Sequence, residues 1–340
     1  MRFLAVNYHH VDDPDQYEYP GIHPVSPVNF EKQLMILGQH FDFVSQEDIL
    51  AALQGQKDLP LRSCLITFDD GLKCQYEKAL PILDKLKIPA LFFVTGIPYD
   101  DPPQACLVHK IHYLRARMDP DLYYKKCESL YYKITHKRLL LESLDENKVA
   151  RQYRYDQGRE AKLKYWLNYV LDPKTKHQII NTLFQELVKD EANFCREFYL
   201  SREMLKEMAK RSLLGLHSFS HLPLKKLDPK VLNQDLEYNI RGLKKVIGDY
   251  HFNAISYPYG NTESVSLREA NLAERMDLKF GFTMERSFNT SLRSPLLLAR
   301  IDTNDAPGGK APCFLIDKNH KITILPNRHF TEKRMMYYQE

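Results

Sequence analysis

The chain has 340 residues, of which 44% are apolar and 27% are charged, and its formal net charge is +4. This composition is typical of a water-soluble globular protein, and no run of about eighteen apolar residues occurs, which excludes a membrane-spanning helix. The apolar stretch at the N-terminus is too short for a signal peptide, and the six cysteines have neither paired nor zinc-ribbon spacing. We therefore expect a cytoplasmic protein with reduced thiols.

Strand and helix patterns alternate through the first hundred residues. Such alternation predicts parallel β/α units, in which the chemistry lies at the C-terminal ends of the strands. The strand patterns cover residues 2–7, 41–44, 61–66 and 90–94, and the helix patterns cover 29–39 and 75–87, with a further capped helix start at 45–48.

Residues 103–200 break this alternation and show helical patterns only. The segment 109–189 contains 17 Lys and Arg against 10 Asp and Glu, and it holds nine of the 21 tyrosines and the single tryptophan, Trp166. One interpretation is a helical cap whose long polar side chains only keep it soluble. The other is a lid that receives an anionic, sugar-bearing substrate, such as a nucleotide sugar or a lipid-linked phosphate. Because no nucleic-acid-binding motif accompanies the charge, we do not expect a nucleic-acid partner.

Two adjacent carboxylates, Asp69 and Asp70, close the apolar run that ends the third strand pattern. Adjacent side chains at a strand end point to different sides, so these two can take separate roles. Far downstream, His217 and His221 lie four residues apart, and this spacing allows two imidazoles to bind one ion. One carboxylate with two histidines is the usual ligand set of a catalytic metal with an open water position. Asp70, His217 and His221 are therefore candidate ligands, and Asp69 is a candidate general base; the alternatives are an ordinary Asp-Asp-Gly turn and a chance pair of histidines.

These motifs, Thr67–Gly71 and His217–His221, resemble the first two motifs of the polysaccharide deacetylase family (NodB-homology, carbohydrate esterase 4-like). Asn7–Val11 looks like the family's opening strand, and Ser256–Gly260 is similar to a Tyr-Pro-Tyr-Gly variant of its third motif. Leu298–Asp302 resembles the late Arg-Ile-Asp strand of one branch.

The resemblance implies an α/β fold, namely a distorted, incomplete (β/α)7-type barrel with a helical insertion. Residues 1–102 and 201–340 would then be the two halves of the barrel, and the basic, tyrosine-rich segment 103–200 would be the insertion.

The family's mechanism implies a backbone N–H donor near Tyr259 for the oxyanion. Pro258 has no N–H and cannot be that donor. Tyr257 and Gly260 of the same motif are further candidates on the substrate side, and Asp302 is a candidate for the rim of the site, the alternative being a turn at Pro307-Gly308-Gly309.

The sequence also departs from the family. The late Leu-x-His motif that supplies the general acid is not recognisable, and Ser256 stands where the third motif usually has Arg. We expect Arg300 to hold Asp69 by a charge-assisted hydrogen bond and to lower its pKa, the alternative being a structural pair with Asp302. His9 is the candidate acid; the alternatives are a structural role for His9, a role for His10 instead, or Asp69 acting as both base and acid.

The sequence thus predicts a metal-dependent hydrolase that removes an N-acyl group, most simply acetyl, from an amino sugar used in surface-polysaccharide or glycoconjugate biosynthesis. The ligand set favours Zn²⁺, with Co²⁺ or Ni²⁺ as functional substitutes. Two alternatives are an amidohydrolase acting on a non-sugar linear amide and a catalytically inactive carbohydrate-binding barrel.

Overall fold

The central sheet is parallel, and its strands follow the order β7-β6-β5-β4-β3-β1-β8, with β2 paired to β3. The computed structural model describes residues 1–17, 22–152, 158–325 and 330–331. An antiparallel pair, β9 and β10, stands apart from this sheet. The strands are β1 (Arg2–Tyr8), β2 (Asp42–Phe43), β3 (Arg62–Phe68), β4 (Ala90–Val94), β5 (Leu214–Leu216), β6 (Ala254–Ser256), β7 (Phe280–Phe282), β8 (Ile301–Asp302), β9 (Phe314–Ile316) and β10 (Ile322–Ile324).

The middle strands of the sheet are buried along almost their whole length because parallel sheets are covered on both faces. β3 is buried from its second residue onward, and every residue of β4 is buried. Phe68 at the end of β3 stacks on Phe92 of β4, with 4.6 Å between the ring centroids. β3 therefore ends in a rigid part of the core, and the residues that follow it leave the sheet from a fixed point.

The segment Leu298–Asp302 contacts both edges of the sheet. The N–H of Leu298 donates to the carbonyl of Gly281 at 2.7 Å, and the carbonyl of Leu298 accepts from the N–H of Thr283 at 2.8 Å, beside β7. Ile301, three residues later, pairs with Val6 of β1. One short segment thus joins the two ends of a curved parallel sheet, which confirms the predicted distorted, incomplete barrel.

Four of the helices begin with a side-chain cap followed by proline. Ser26, Asp119, Asp172 and Asp228 each accept a hydrogen bond from a backbone N–H of the first turn, and the next residue is Pro in each case. Proline suits the first position because its missing N–H would have no partner in the helix. The helices are α1 (Pro27–Gly38), α2 (Gln46–Leu53), α3 (Leu80–Leu86), α4 (Leu107–Arg117), α5 (Pro120–Thr135), α6 (Glu146–Gln152), α7 (Gly158–Tyr165), α8 (Pro173–Leu187), α9 (Glu191–Phe198), α10 (Arg202–Lys210), α11 (Pro229–Ile247) and α12 (Leu267–Arg275).

The predicted helix over 75–87 is divided in the structure. A π-helical turn, Gln75–Ala79, precedes α3, and Pro81 lies in the first turn of α3. Because proline lacks an N–H, it cannot continue the regular hydrogen-bond ladder from the preceding turn.

The chain divides into two compact units. The first contains residues 1–17, 23–104 and 195 onward, and the second contains residue 22 and residues 105–194. The second unit is helical. The insertion expected from the sequence has the limits 103 and 200. Among the described residues, no helix combines the length and the apolar character needed to cross a bilayer.

Candidate metal centre and active site

The Asp69-Asp70 pair lies where β3 ends, as the sequence analysis expected. The N–H of Asp69 still donates to the carbonyl of Tyr8 on β1 at 3.1 Å, whereas Asp70 has φ of 80° and turns the chain away from the sheet. Both residues are buried, with 3% and 4% of their surface exposed. The left-handed backbone at Asp70, rare for a residue with a side chain, sends the two carboxylates in different directions.

Asp70, His217 and His221 form a buried group in which the three ligand atoms lie within 4.8 Å of one another. The Oδ1 atom of Asp70 is 3.4 Å from Nε2 of His217 and 3.1 Å from Nε2 of His221. The centroids of the two imidazole rings are 4.9 Å apart. The structure thus brings together the three residues that the sequence analysis selected as ligands.

The orientation of His217 is set by a second contact on the other side of its ring. Nδ1 of His217 lies 2.7 Å from the carbonyl oxygen of Ser256, so this nitrogen carries the proton and donates it. Nε2 is then left with its lone pair toward Asp70, which is the tautomer that a metal ligand requires. One carboxylate oxygen and two imidazole nitrogens in a buried pocket suit a divalent cation such as Zn²⁺. The residues present therefore fit the metal that the sequence predicts.

Asp69 is held by the guanidinium of Arg300. Arg300 Nη1 donates to Oδ1 at 2.8 Å, and Nη2 donates to Oδ2 at 2.6 Å. Arg300 is fully buried and lies over the rings of Phe93 and Phe282, 5.7 and 5.9 Å from their centroids. It also donates to the hydroxyl of Thr67 at 3.2 Å. The expected contact between Arg300 and Asp69 is therefore present.

Ser256 takes part in the same network. Its hydroxyl accepts from Nη2 of Arg300 at 2.7 Å and donates to Oδ2 of Asp69 at 3.1 Å. Ser256 stands at the position where the family usually has Arg, and a small side chain there leaves room for a guanidinium that arrives from position 300. The alternative pairing of Arg300 with Asp302 is not what the structure contains, since Oδ1 of Asp302 accepts from the backbone and side-chain amides of Asn304, both at 2.8 Å.

The charge state of Asp69 follows from these contacts. Burial by itself raises the pKa of Asp69, but the charge of Arg300 and the hydrogen bonds from Arg300 outweigh it and lower the pKa from 3.8 to about 2. Asp69 is therefore an ionised carboxylate over the whole physiological range of pH.

His9 lies on the open side of the metal group. It follows β1 directly, and its Nε2 is 4.0 Å from Oδ2 of Asp70, with 39% of the side chain exposed. His10, the rival candidate, is engaged elsewhere: its Nδ1 is 2.6 Å from the hydroxyl of Tyr17, and its ring contacts that of Phe198. Of the two histidines, His9 is the one that lies beside the candidate metal ligand Asp70.

Tyr259 and Gly260 form a tight turn beside the two histidines. Tyr259 has φ of 63°, and its ring centroid is 5.4 Å from that of His221. Gly260 has φ of 58°, and a Cβ atom there would lie 2.6 Å from the backbone nitrogen of Met284. Only glycine fits this position, because both its backbone conformation and the close approach of a neighbouring chain exclude a side chain.

The prediction for Tyr257 is wrong. Its side chain is fully buried in the hydrophobic core, and its N–H donates to the carbonyl of Phe282 at 3.1 Å. Neither group can contact a substrate, because the side chain is enclosed by the core and the N–H already has a backbone partner. Asp302 is partly exposed, and burial raises its pKa, although hydrogen bonds from Asn304 and the charge of His9 act in the opposite direction.

Two residues of the site were missed from the sequence. Asn7, in β1, donates from Nδ2 to Oδ2 of Asp69 at 3.1 Å. Asp235, in α11, accepts hydrogen bonds from the N–H groups of Phe219 and Ser220, at 2.9 and 3.0 Å. A signal for Asp235 was present, since it lies on the apolar face of an amphipathic helix, where a charge needs a specific partner.

Comparison with known proteins places this site in a family. The family model described as polysaccharide deacetylase matches residues 56–110 and 153–279, which is more than half of the chain and includes both the Asp69-Asp70 pair and the two histidine ligands. No curated protein sequence matches the chain.

Solved structures share the fold. The deacetylase PplD of Streptococcus pyogenes, in complex with acetate, is 16% identical with a TM-score of 0.51, covering 89% of this chain and 92% of its own. IcaB from Ammonifex degensii is 18% identical with a TM-score of 0.52, covering 90% and 94%. A de-N-acetylase from Aggregatibacter actinomycetemcomitans is 14% identical with a TM-score of 0.51, covering 89% and 95%. The family model and the shared fold agree with the motifs identified in the sequence, and the chain belongs to the polysaccharide deacetylase family.

Proposed function

We propose that the protein is a metal-dependent hydrolase that removes an N-acetyl group from an amino sugar. Family membership supports a hydrolase acting on carbohydrate amide bonds. The observation that carries the proposal is the division of labour between adjacent carboxylates: Asp70 faces His217 and His221, while Asp69 is ionised and held by Arg300. An inactive binding barrel has no need for a cation site next to an ionised carboxylate.

Asp70, His217 and His221 would hold the cation, most simply Zn²⁺. When bound, a divalent cation polarises the amide carbonyl and lowers the pKa of water. Asp69 takes a proton from the water that attacks the carbonyl carbon, and its fixed position beside the metal group orients that water. Because Arg300 keeps the pKa of Asp69 low, Asp69 then releases this proton to solvent and returns to its ionised form.

The oxyanion and the leaving amine need two further groups. By analogy with the family, the oxyanion donor is a backbone N–H near Tyr259, and Pro258, which has no N–H, cannot be that donor. His9 gives a proton to the amine nitrogen as the C–N bond breaks, which releases a free amine and a carboxylate. Its 39% exposure allows it to regain a proton from solvent.

The helical unit supplies an anion-binding surface for the carrier of the sugar, such as a nucleotide or a lipid phosphate. Part of its excess positive charge is already paired within the unit, for example Lys126 with Glu186 at 2.6 Å and Lys162 with Glu142 at 3.0 Å. One group of exposed basic residues that offers charge to a substrate lies in and after α5. These residues are Lys125, Lys133, Lys137 and Arg138. A carrier-linked substrate fits a cytoplasmic step in the biosynthesis of a surface polysaccharide or glycoconjugate.

The test is the release of amine from acetylated amino sugars and from a non-sugar linear amide, with and without exhaustive chelation. We expect sugar de-N-acetylation that chelation abolishes and that Zn²⁺, Co²⁺ or Ni²⁺ restores. Hydrolysis of the simple amide alone would favour the broader amidohydrolase function, and full activity after chelation contradicts the metal mechanism.

His217→Ala and His221→Ala should each abolish the metal-dependent activity. His251→Ala is the matched control, because its imidazole is exposed and pairs with Asp277 at 3.6 Å. Equal losses in all three variants would mean that the ligands have been assigned wrongly.

A further inference from the structure

Asp235 is a buried carboxylate that the proposed reaction does not use. It lies on the apolar face of α11, between Leu232 and Leu236, and only 6% of its surface is exposed. Aspartate is almost never this deeply buried unless it is paired or fully hydrogen-bonded. Its partners therefore indicate why a charge occupies this position.

The partners of Asp235 are the residues between the two histidine ligands. Its Oδ1 accepts from the N–H of Phe219 at 2.9 Å, and its Oδ2 accepts from the N–H of Ser220 at 3.0 Å and from the hydroxyl of Ser220. Both oxygens act as acceptors, which an ionised carboxylate can do and a side-chain amide cannot. Asp235 thus holds the midpoint of the His217–His221 segment.

That segment has an unfavourable backbone conformation. Ser218 and His221 have φ of 59° and 54°, in the left-handed region that residues with a side chain seldom adopt. The hydroxyl of Ser218 accepts from the N–H of His221 at 3.0 Å, which closes the turn. Such a conformation persists only where the surroundings impose it.

The carbonyl side of the segment is held separately from its N–H side. The carbonyls of Ser218 and Phe219 accept from Gly96 and Ile97, at 3.3 and 3.0 Å. His217 has its own restraint, the contact of its Nδ1 with the carbonyl of Ser256. The N–H groups at the middle of the turn, those of Phe219 and Ser220, are held by Asp235.

We propose that Asp235 is a positioning residue that preorganises the His217–His221 turn, so that both imidazoles face one cation before it arrives. The proposal rests on the proposed metal centre. Asp235 contacts neither the metal nor the substrate, and it acts by keeping His221 within reach of the ligand atoms of Asp70 and His217. Groups that orient metal ligands typically change metal affinity by about 10- to 100-fold when they are removed.

The test measures metal affinity in a graded series of variants, by Zn²⁺ competition with a chromophoric chelator and by the visible absorption of bound Co²⁺. Asp235→Ala should raise the dissociation constant about 10- to 100-fold. Asp235→Asn should have an intermediate effect, because an amide keeps only one acceptor oxygen. Ser220→Ala should have the smallest effect, since it removes the hydroxyl bond and leaves both N–H bonds.

Asp228→Ala is the matched control for a loss of helix stability. Asp228 caps the same helix, accepting from the N–H groups of Lys230 and Val231 at 3.0 and 3.1 Å, and does not hold the ligand turn. It should lower the melting temperature and leave metal affinity unchanged. Hydrogen exchange of metal-free protein adds a second readout, in which the amides of Phe219 and Ser220 should exchange faster in the Asp235 variants and not in the control.

The outcomes separate this role from the proposed function. If wild-type protein binds the cation and Asp235→Ala binds it as tightly as Asp228→Ala, Asp235 is not a positioning residue, even if sugar hydrolysis is confirmed. If wild-type protein takes up no cation, the metal centre and this role fail together. Should Asp235→Ala not fold, Asp235→Asn decides the question by the same two measurements.

Discussion

The contact between Arg300 and Asp69 offers a quantitative test of the site that does not depend on substrate or metal. Their side chains are 0% and 4% exposed and share two hydrogen bonds of 2.8 and 2.6 Å. Replacing either one, by Arg300→Met or Asp69→Asn, leaves its partner charge buried without compensation. Replacing both removes the charges together, so the double variant should be less destabilised than the sum of the single ones.

Two estimates of the free energy that the ion pair contributes to folding agree in order of magnitude. The fall of the Asp69 pKa from 3.8 to about 2 corresponds to about 2 kcal/mol of folding free energy. Because the pKa is lowered in the folded state, this stabilisation is present above the ordinary pKa and is lost as pH falls through about 2. Measured losses on breaking a buried ion pair are about 3–5 kcal/mol. We expect each single variant to lose about 3–5 kcal/mol near neutral pH, with a coupling energy of about 2–3 kcal/mol.

The assay must report the unfolding of the unit that contains Arg300 and Asp69. Trp166, the single tryptophan, lies in the helical unit, so its fluorescence does not follow the barrel. Hydrogen exchange of peptides from β1 and β3, measured by mass spectrometry across a urea series, follows the strands that carry Asp69. The control cycle uses the exposed pair of Lys85 and Glu31, which are 2.8 Å apart, and its coupling should be at most about 1 kcal/mol.

Additive losses of unfolding free energy in the single and double variants would refute this reasoning. If the losses of Arg300→Met and Asp69→Asn sum to that of the double variant within about 0.5 kcal/mol, the two charges do not stabilise each other. Arg300 would then have to be kept for its packing against Phe93 and Phe282 rather than for its charge.

Three further predictions concern activity. Asp69→Asn should retain the metal and lose rate by about 10²–10⁴, the range for a general base, whereas Asp70→Asn should weaken metal binding; equal metal loss in both would reverse the assigned roles. His9→Gln should slow release of an alkylamine more than release of p-nitroaniline, a better leaving group that depends less on a proton donor; equal slowing of both would exclude His9 as the acid. Neutralising the exposed basic residues of the helical unit should raise KM for an anionic carrier-linked sugar and not for a neutral one, and the effect should fade at high salt because exposed charges act over about 10 Å at 0.1 M; a salt-independent loss with both substrates would leave only a structural role for this unit. The residues to replace by Gln together are Lys125, Lys133, Lys137 and Arg138.

The ligand group was predictable from sequence because its determinants are local. An apolar run that ends in Asp69-Asp70 places both carboxylates at the end of a strand, and a spacing of four residues brings His217 and His221 to one ion wherever the chain turns tightly. Alternation of strand and helix patterns then predicts that such ends meet at one edge of a parallel sheet. These properties depend on near neighbours in the chain, so the pattern alone carries them.

Other features were decided only by the tertiary structure. Whether Arg300 pairs with Asp69 or with Asp302 depends on a contact across 231 residues of sequence, and a small residue at 256 leaves room for that contact. Tyr257 belongs to a recognised motif, yet its side chain is packed into the hydrophobic core directly after β6. Asp235 is an ordinary residue of an amphipathic helix until the helix packs against the turn between the two histidines. Local sequence specifies which groups a strand or loop presents, whereas partners from distant elements are selected by packing, which no single segment of the chain encodes.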